Sequence, residues 1–332
     1  MQTFRLNGGR SLFDLVSHGR AGPSGRVCFS PGQIALIHRT VSRTPEVMIK
    51  VTSGKGSSTG RGVVAHFDYI GRHGDLEIET DDGERLIGEG AGQQLIQDWD
   101  LDMDEDRKRF DLFAVNRRAP PKLVHKIIFS MPAGTPARKV LDAVHDFARE
   151  EFGGKHRYAM VLHTDEPHPH VHVVVKAVSE AGEPLNIRKD TLRCWREGFA
   201  QQLRARGVEA NATARQVRGQ SRAPKLDSIF RAARRGESTH MTARVHGVVR
   251  ELQAGRLDKA GAEKLQRTRA EVARGWLAVR DALVVEGRHQ LSDQVSRFVI
   301  QMSPPRSEKQ WLAAELIERA RPPRTKDEPL VR

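Results

Sequence analysis

The sequence predicts an α+β fold: an antiparallel sheet with helices packed on one face, followed by an all-helical C-terminal extension. Three observations predict it. HVHVVVKAVSE (170–180) alternates with period two, so His170 and His172 face one way and Val171, Val173 and Val175 the other. ARKVLDAVHDFAREEFG (137–153) spaces its apolar residues at helical period, directly after a strand pattern, KLVHKIIFSMP (122–132). Beyond about Arg222 no strand pattern appears, and helical patterns run from about 226 to 321.

The remaining elements follow in order. Residues 1–44 are Gly- and Arg-rich with weak periodicity and read as an irregular leader. PEVMIKVT (45–52) is β-branched and reads as a strand, and SGKGSSTGRG (53–62) as a flexible loop. VVAHFDYIGRHG (63–74) carries Val63, Phe67 and Ile70 at i, i+4 and i+7, a helical stripe with Gly74 placed to close it. DLEIETDDGERLIG (75–88) alternates around an Asp-Gly turn and predicts a hairpin. Residues 91–114 read as a helix with Leu95, Trp99 and Met103 on one face. Thr135 is expected to cap the helix after the 122–132 strand. Two strands, 155–165 and 170–180, flank a His-rich turn, and Thr191–Arg206 is a further helix. The division is thus 1–44 leader, 45–222 α+β domain, 223–321 helical extension and 322–332 disordered tail, PPRTKDEPLVR.

Composition narrows the function classes. The 332 residues carry a formal charge of +13, with a sequence pI near 10.2. That balance points to a polyanionic partner, nucleic acid first. No apolar run approaches the ~20 residues of a membrane span, and the N-terminus lacks the apolar core of a secretory signal. Cys28 and Cys194 are far apart, which argues against a disulfide scaffold and a thiolate zinc site and for a reducing cytoplasm. The charge is unevenly placed. Asp75–Asp106 holds thirteen acidic residues and one basic, Arg85, and reads as a solvated face. Arg188–Arg235 holds thirteen basic and four acidic residues, and a phosphate backbone would be drawn there.

Chemistry concentrates in HTDEPHPHVHVVVKA (163–177). His170 and His172 share a strand face, and His163 ends the preceding strand across a tight turn. Three neutral imidazoles converging on one point make a metal site. Asp165 is placed either to orient an imidazole or to take a proton. His168 follows Pro167 in the turn, where a fourth ligand, a substrate contact and no role at all are each open. The stretch HPHVHVV also resembles the histidine-triad nucleotide hydrolases, although Pro169 sits where that motif has an apolar strand residue, and such an enzyme has no use for the basic extension.

Only two tyrosines exist, Tyr69 and Tyr158, and Tyr69 lies off the Val63/Phe67/Ile70 stripe in HFDYIGRHGDLEIE. That segment, HKIIFSMPAGTPARKVLDAVHDFAREEFG and HTDEPHPHVHVVVK occur in this order, with an Arg-rich ANATARQVRGQSR (210–222) behind them. Together they resemble the conjugative relaxases of the HUH endonuclease class, in the P-type group that includes the agrobacterial T-DNA border nucleases and plasmid mobilisation proteins. The resemblance covers about residues 47–222. It implies an HUH-type antiparallel sheet, Tyr69 as nucleophile, His163, His170 and His172 as metal ligands, Asp165 as supporting carboxylate, and His168 as a site neighbour without a ligand role. It implies magnesium or manganese as the divalent ion, while the imidazole donors by themselves suit zinc, nickel or manganese.

A tyrosine phenol has a pKa near ~10 and needs charge neutralisation and a proton acceptor to attack a phosphodiester. Asp165, Asp68 and His168 are the candidate acceptors. The tyrosyl ester so formed conserves the bond energy, which suits nicking and rejoining at an origin of transfer on a plasmid or integrative element. Single-stranded or locally melted origin DNA is the expected substrate, with Arg188, Lys189, Arg193, Arg196, Arg215, Arg218 and Arg222 as candidate backbone contacts. Trp195 and Phe199 are expected in a helix core more than on bases. Accessory origin-binding proteins and a type IV secretion coupling protein are the expected partners, in the bacterial cytoplasm, with export alongside the strand as an option. A rolling-circle replication or transposition nuclease and a non-catalytic origin-binding protein are the other readings.

Overall fold

The computed structural model describes residues 29–52, 55–101, 122–221, 235–256 and 261–320, together with residues 5–6, 10–11 and 232. In chain order its elements are β1 (Arg5–Leu6), β2 (Arg10–Ser11), α1 (Pro31–Val41), β3 (Met48–Thr52), α2 (Gly60–Ile70), β4 (Ile78–Thr80), β5 (Arg85–Leu86) and α3 (Ala91–Asp98). Then come β6 (Val124–Ser130), α4 (Ala137–Glu151), β7 (Tyr158–His163), β8 (His170–Lys176), α5 (Lys189–Ala205), α6 (Thr239–Gln253), α7 (Ala262–Val285), α8 (His289–Ile300) and α9 (Glu308–Ala320). The chain divides into two compact units, Arg43–Ala212 and Met1–Ser42 with Thr213–Arg332.

The Arg43–Ala212 unit is built on a six-stranded sheet of order β3-β6-β8-β7-β4-β5, antiparallel at every pairing. Alternation along β8 sets the two faces. Val171, Val173 and Val175 bury against Ile127 and Phe129 of β6, Val140, Val144 and Phe147 of α4, and Trp195, Phe199 and Leu203 of α5. α4 presents Val140, Ala143, Val144, Phe147 and Ala148 as one stripe, and the stripe is what holds it on the sheet. The antiparallel α+β architecture is as expected, with one addition on the second face. There α2 and α3 cover one end, through Val63, Phe67, Ile70, Leu95 and Ile96 packed on Val124, Ala159, Val161 and Val174. The rest of that face carries the histidines.

Several local expectations shift. α2 starts at Gly60, inside the segment read as a loop, because Thr59 caps it by accepting from the Gly62 N–H at 3.2 Å. Its first turn lies backbone to backbone on the Lys55–Ser57 turn; a side chain on Gly62 would come within 2.4 Å of the Gly56 Cα. It ends at Ile70, with the Gly71 N–H donating to the Phe67 carbonyl at 2.7 Å, and not at Gly74. Gly74 instead takes φ +100° where its position faces the Gly88 backbone, which a side chain would reach at 2.4 Å. The expected hairpin is present as β4 and β5. Thr135 does not cap α4: Pro136 holds the cap position without a side-chain bond, and the Thr135 hydroxyl donates to the Pro132 carbonyl at 2.8 Å. The 91–114 helix stops at Asp98, with Trp99 and Leu101 buried beyond it, and Met103 lies outside the described residues.

In the second unit the segment read as an irregular leader contains α1, capped by Ser30 and Gln33 in a reciprocal capping box. The helical expectation for the C-terminal region holds in α6 to α9. A core of Phe29, Ile37, Val272, Trp276, Val279, Leu283, Val295 and Phe298 joins α1, α7 and α8, and the Trp276 indole N–H donates to the Val217 carbonyl at 2.8 Å. Residues 322–332, read as a disordered tail, lie outside the described residues.

Phe129 is fully buried, with Phe147 and Phe199 rings 5.1 Å and 5.2 Å away, so Phe129→Ala is expected to cost about 3–5 kcal/mol. Urea unfolding followed by circular dichroism checks this, with Phe129→Leu losing clearly less.

Candidate active site

The triad assembles from strand register. β7 and β8 pair His163 with His170 and Val161 with His172, so three imidazoles stand on one patch of the second face. Their ring centroids are 4.5 Å (His163–His172), 5.1 Å (His163–His170) and 5.3 Å (His170–His172) apart. One ligand nitrogen from each lies within 4.8 Å of the others. Metal–nitrogen bonds of about 2.0–2.1 Å need the nitrogens at roughly 3–3.4 Å, a closure within side-chain adjustment. Charge state suits the same use. Burial, reinforced by the neighbouring His163 and His170, pushes His172 down to about 3. Burial also lowers His163. Neutral imidazoles are what a cation requires. The donor set therefore fits a divalent metal ion.

Backbone carbonyls orient two of the rings. His163 Nε2 donates to the Ile70 carbonyl at 2.7 Å, and His170 Nδ1 donates to the His168 carbonyl at 3.2 Å. A carbonyl only accepts, so these bonds leave the lone pairs on His163 Nδ1 and His170 Nε2. The Ile70 bond matters most, because Ile70 is the last residue of the helix that carries Tyr69. Val63, Phe67 and Ile70 are fully buried and fix the rotation of α2, which leaves Tyr69 46% exposed.

Two residues that the sequence reading did not single out complete the site. His66, one turn before Tyr69, lies 6.4 Å from both the Tyr69 and the His172 rings. Burial, aided by the charge of Lys126, lowers it to about 4. Its spacing of three from Tyr69 on one helix was the signal available. Arg72 follows α2 in a left-handed turn, with φ 51° at Arg72 and 56° at His73, a conformation costing roughly 1–2 kcal/mol per residue. The turn brings the guanidinium 5.4 Å from the Tyr69 ring centroid and 3.2 Å from His163 Nδ1. It also pairs with Asp165. No local pattern announced it.

Arg72 alters the role expected for Asp165. The carboxylate stands 3.9 Å from His163 Nδ1, too far for a hydrogen bond, since Arg72 intercepts it. Slight burial works to raise the Asp165 carboxyl, but the Arg72 bond and charge outweigh it and hold the group below its ordinary value. His168 turns away to Glu166 at 3.2 Å and is outside the triad's ligand set. Asp68 turns towards α3, where its Oδ1 lies 3.1 Å from the point a side chain on Gly92 would occupy.

The basic residues expected to hold DNA are not gathered at the triad. Arg188, Lys189, Arg193 and Arg196 belong to α5 and its cap, and α5 packs on the sheet face opposite the histidines. The reason is its apolar stripe: Trp195, Phe199 and Leu203 are consumed by the core, as expected for Trp195 and Phe199. Arg196 Nη2 donates to the Ile49 carbonyl at 3.3 Å. Arg215 and Arg218 belong to the other unit, and Arg222 lies outside the described residues.

Residues 77–208 match the family model for relaxases, MobA/VirD2-like, nuclease domain. The T-DNA border endonuclease VirD2 of Rhizobium radiobacter is 27% identical over 199 residues, 54% of this chain and 44% of that protein. The protein of the same name from Rhizobium rhizogenes is 27% identical over 207 residues, 57% of this chain and 45% of that one. The match thus spans less than half the length of these curated relatives. A solved chain described as "Molecular Basis of Vancomycin Resistance Transfer in Staphylococcus aureus" is 16% identical, covering 51% of this chain and 98% of that one. Its TM-score of 0.27 is too low to bear on the fold. The family match contains His163, Asp165, His170 and His172; His66, Tyr69 and Arg72 lie upstream of it.

Two outcomes are expected. Titration calorimetry with Mn²⁺ should show tight binding lost in His172→Ala, and strengthened in Arg72→Gln because the His163 lone pair is released. The second concerns acid stability. His66 and His125 at about 4 and His172 at about 3 all lie below the ordinary 6.5, so the unfolded chain binds more protons in between. Stability of the metal-free chain should therefore fall as pH drops from 6.5 towards 4. Thermal melts across that window should show a shallower fall in His125→Phe, a change on the face away from the triad.

Proposed function

We propose, from the premise that residues 77–208 carry a MobA/VirD2-like relaxase nuclease domain, that this chain nicks and rejoins one DNA strand at an origin of transfer. The relaxase match supports the nuclease reading of HPHVHVV over the nucleotide-hydrolase one. The observation that carries the mechanism is the bond from the Ile70 carbonyl to His163, which sets an exposed Tyr69 beside three converging imidazoles.

In this reading His163, His170 and His172 hold a divalent ion, magnesium or manganese, with zinc and nickel also suited to imidazole donors. When bound, such an ion neutralises charge on the scissile phosphate. The Tyr69 phenol releases its proton to solvent as its oxygen attacks phosphorus, the bond to the 3′ oxygen breaks, and the leaving oxygen takes up a proton from solvent to become a 3′ hydroxyl. The 5′ phosphate remains esterified to Tyr69. The reverse attack by a 3′ hydroxyl rejoins the strand and frees the phenol, so no external energy source is needed.

The chain's own charges support these steps. Arg72, 5.4 Å from the Tyr69 ring centroid, stabilises negative charge developing on the phenolate. Asp165, held acidic by that same arginine, is a weak proton acceptor and serves chiefly to anchor it. Its role is then to position Arg72. The substrate is single-stranded or locally melted origin DNA, since Tyr69 and the triad open onto a sheet surface. Origin-binding accessory proteins and a type IV secretion coupling protein are the proposed partners, in the cytoplasm. No helix among the described residues is long and apolar enough to cross a membrane.

The test is a labelled single-stranded origin oligonucleotide incubated with the chain and Mn²⁺, then denatured. A protein–DNA adduct is expected from the native chain. Tyr69→Phe should abolish it, and persistence of the adduct in that variant would rule out Tyr69. Arg72→Gln should slow its formation by about tenfold or more.

A further inference from the structure

We propose that Lys126, with Lys50 beside it, seats a non-scissile phosphate of the strand whose cleaved phosphate lies at the triad. The proposal rests on the nuclease reading and adds a binding position to it.

Register places the lysine. Lys126 of β6 pairs with Val174 of β8 on one side and Thr52 of β3 on the other, while the adjacent Ile128 pairs with His172 and Lys50. Residues directly opposed in a sheet share a face, so Lys50, Lys126 and His172 all stand on the histidine face. Lys126 and His172 are diagonal neighbours, roughly 7–8 Å apart along the sheet. Successive phosphates of a polynucleotide passing from β8 to β3 would meet first the triad and then this lysine.

The state of Lys126 points to an absent anion. The residue is only 8% exposed, and among the described residues its ammonium has neither a hydrogen-bond nor an ion-pair partner. The Thr52 hydroxyl, across the pairing, donates to the Lys126 backbone carbonyl at 3.3 Å, and no bond joins it to the ammonium. Burial lowers the lysine's pKa, the usual sign of a cation short of a counter-charge. Its charge is felt by His66, the ring beside Tyr69, so the ammonium lies on the nucleophile's side of the platform. Ordinary proteins pair such a group internally or replace it with an apolar residue of similar length. Here the surroundings stay open to a ligand: on edge strand β3 Lys50 is exposed and Met48 is 49% exposed. On the same face Ile128 follows Lys126 along β6 and Met48 precedes Lys50 along β3, apolar surface that suits a base laid beside a phosphodiester.

Binding of a short fluorescent single strand to the full-length Tyr69→Phe chain, which cannot form the ester, tests the seat without cleavage. Affinities are measured over a salt series with and without Lys126→Met. The added substitution should weaken binding at low salt and flatten the slope of log affinity against log salt by about 0.7, one phosphate contact on a single strand. Lys126→Arg should keep the slope. Lys126→Met should also leave the thermal midpoint unchanged or raised; a lowered midpoint would reveal a structural partner and overturn the proposal. Superimposable salt slopes, with the native chain still forming its adduct, sink the phosphate seat alone. If the native chain neither binds the strand nor forms an adduct, the nuclease reading falls and the seat with it.

Discussion

The bond between the Ile70 carbonyl and His163 is the constraint on which the site depends. Ile70 closes the helix that presents Tyr69, and His163 closes the strand that starts the triad. One 2.7 Å contact therefore fixes the helix against the sheet, selects the tautomer of one imidazole and sets the distance between Tyr69 and the three histidines. It is supported from below by Val63, Phe67 and Ile70, which occupy the core with no room for rotation. Rotating α2 by one residue would bury the phenol and break the carbonyl bond together.

The electrostatics follow from that arrangement. His163 and His172 are kept neutral by burial, and cations stand on two sides of the triad, Arg72 beside Tyr69 and Lys126 on the neighbouring strand. Asp165 is drawn to Arg72 and leaves the imidazoles without a carboxylate bond of their own. The histidine face thus carries local positive charge. The basic residues of α5 lie on the other side of the same sheet, where they contribute to the long-range field of a chain with net charge +13.

Much of this was legible from residue order. The period-two run HVHVVV set the histidines against the valines, and the 3.6-period stripe of ARKVLDAVHDFA placed α4 on the sheet. The stripe through Val63, Phe67 and Ile70 left Tyr69 on the opposite side of its helix. The start of α2 was misread because its glycines looked like a loop, whereas Gly62 is there to let two backbones touch. The cap expected of Thr135 failed for a similar reason: a hydroxyl can serve one carbonyl turn or one helix end, and nearby geometry chose the turn.

What the sequence by itself determined is therefore most of the local structure: the main strands, the amphipathic stripes of α2, α4 and α5, the shared face of His170 and His172, and the residue types gathered in the histidine run. What only the tertiary structure decided is which face each helix covers and which distant side chains meet. Periodicity states which side of its own axis a residue occupies, but α5 and α2 have equally good apolar stripes and lie on opposite faces of the sheet. Arg72 reaches His163 and Asp165 across more than ninety residues through a left-handed turn, and Lys126 joins the site through pairing with two other strands. Such meetings are set by sheet register and by burial, which belong to the packed chain as a whole and leave no local trace in the order of its residues.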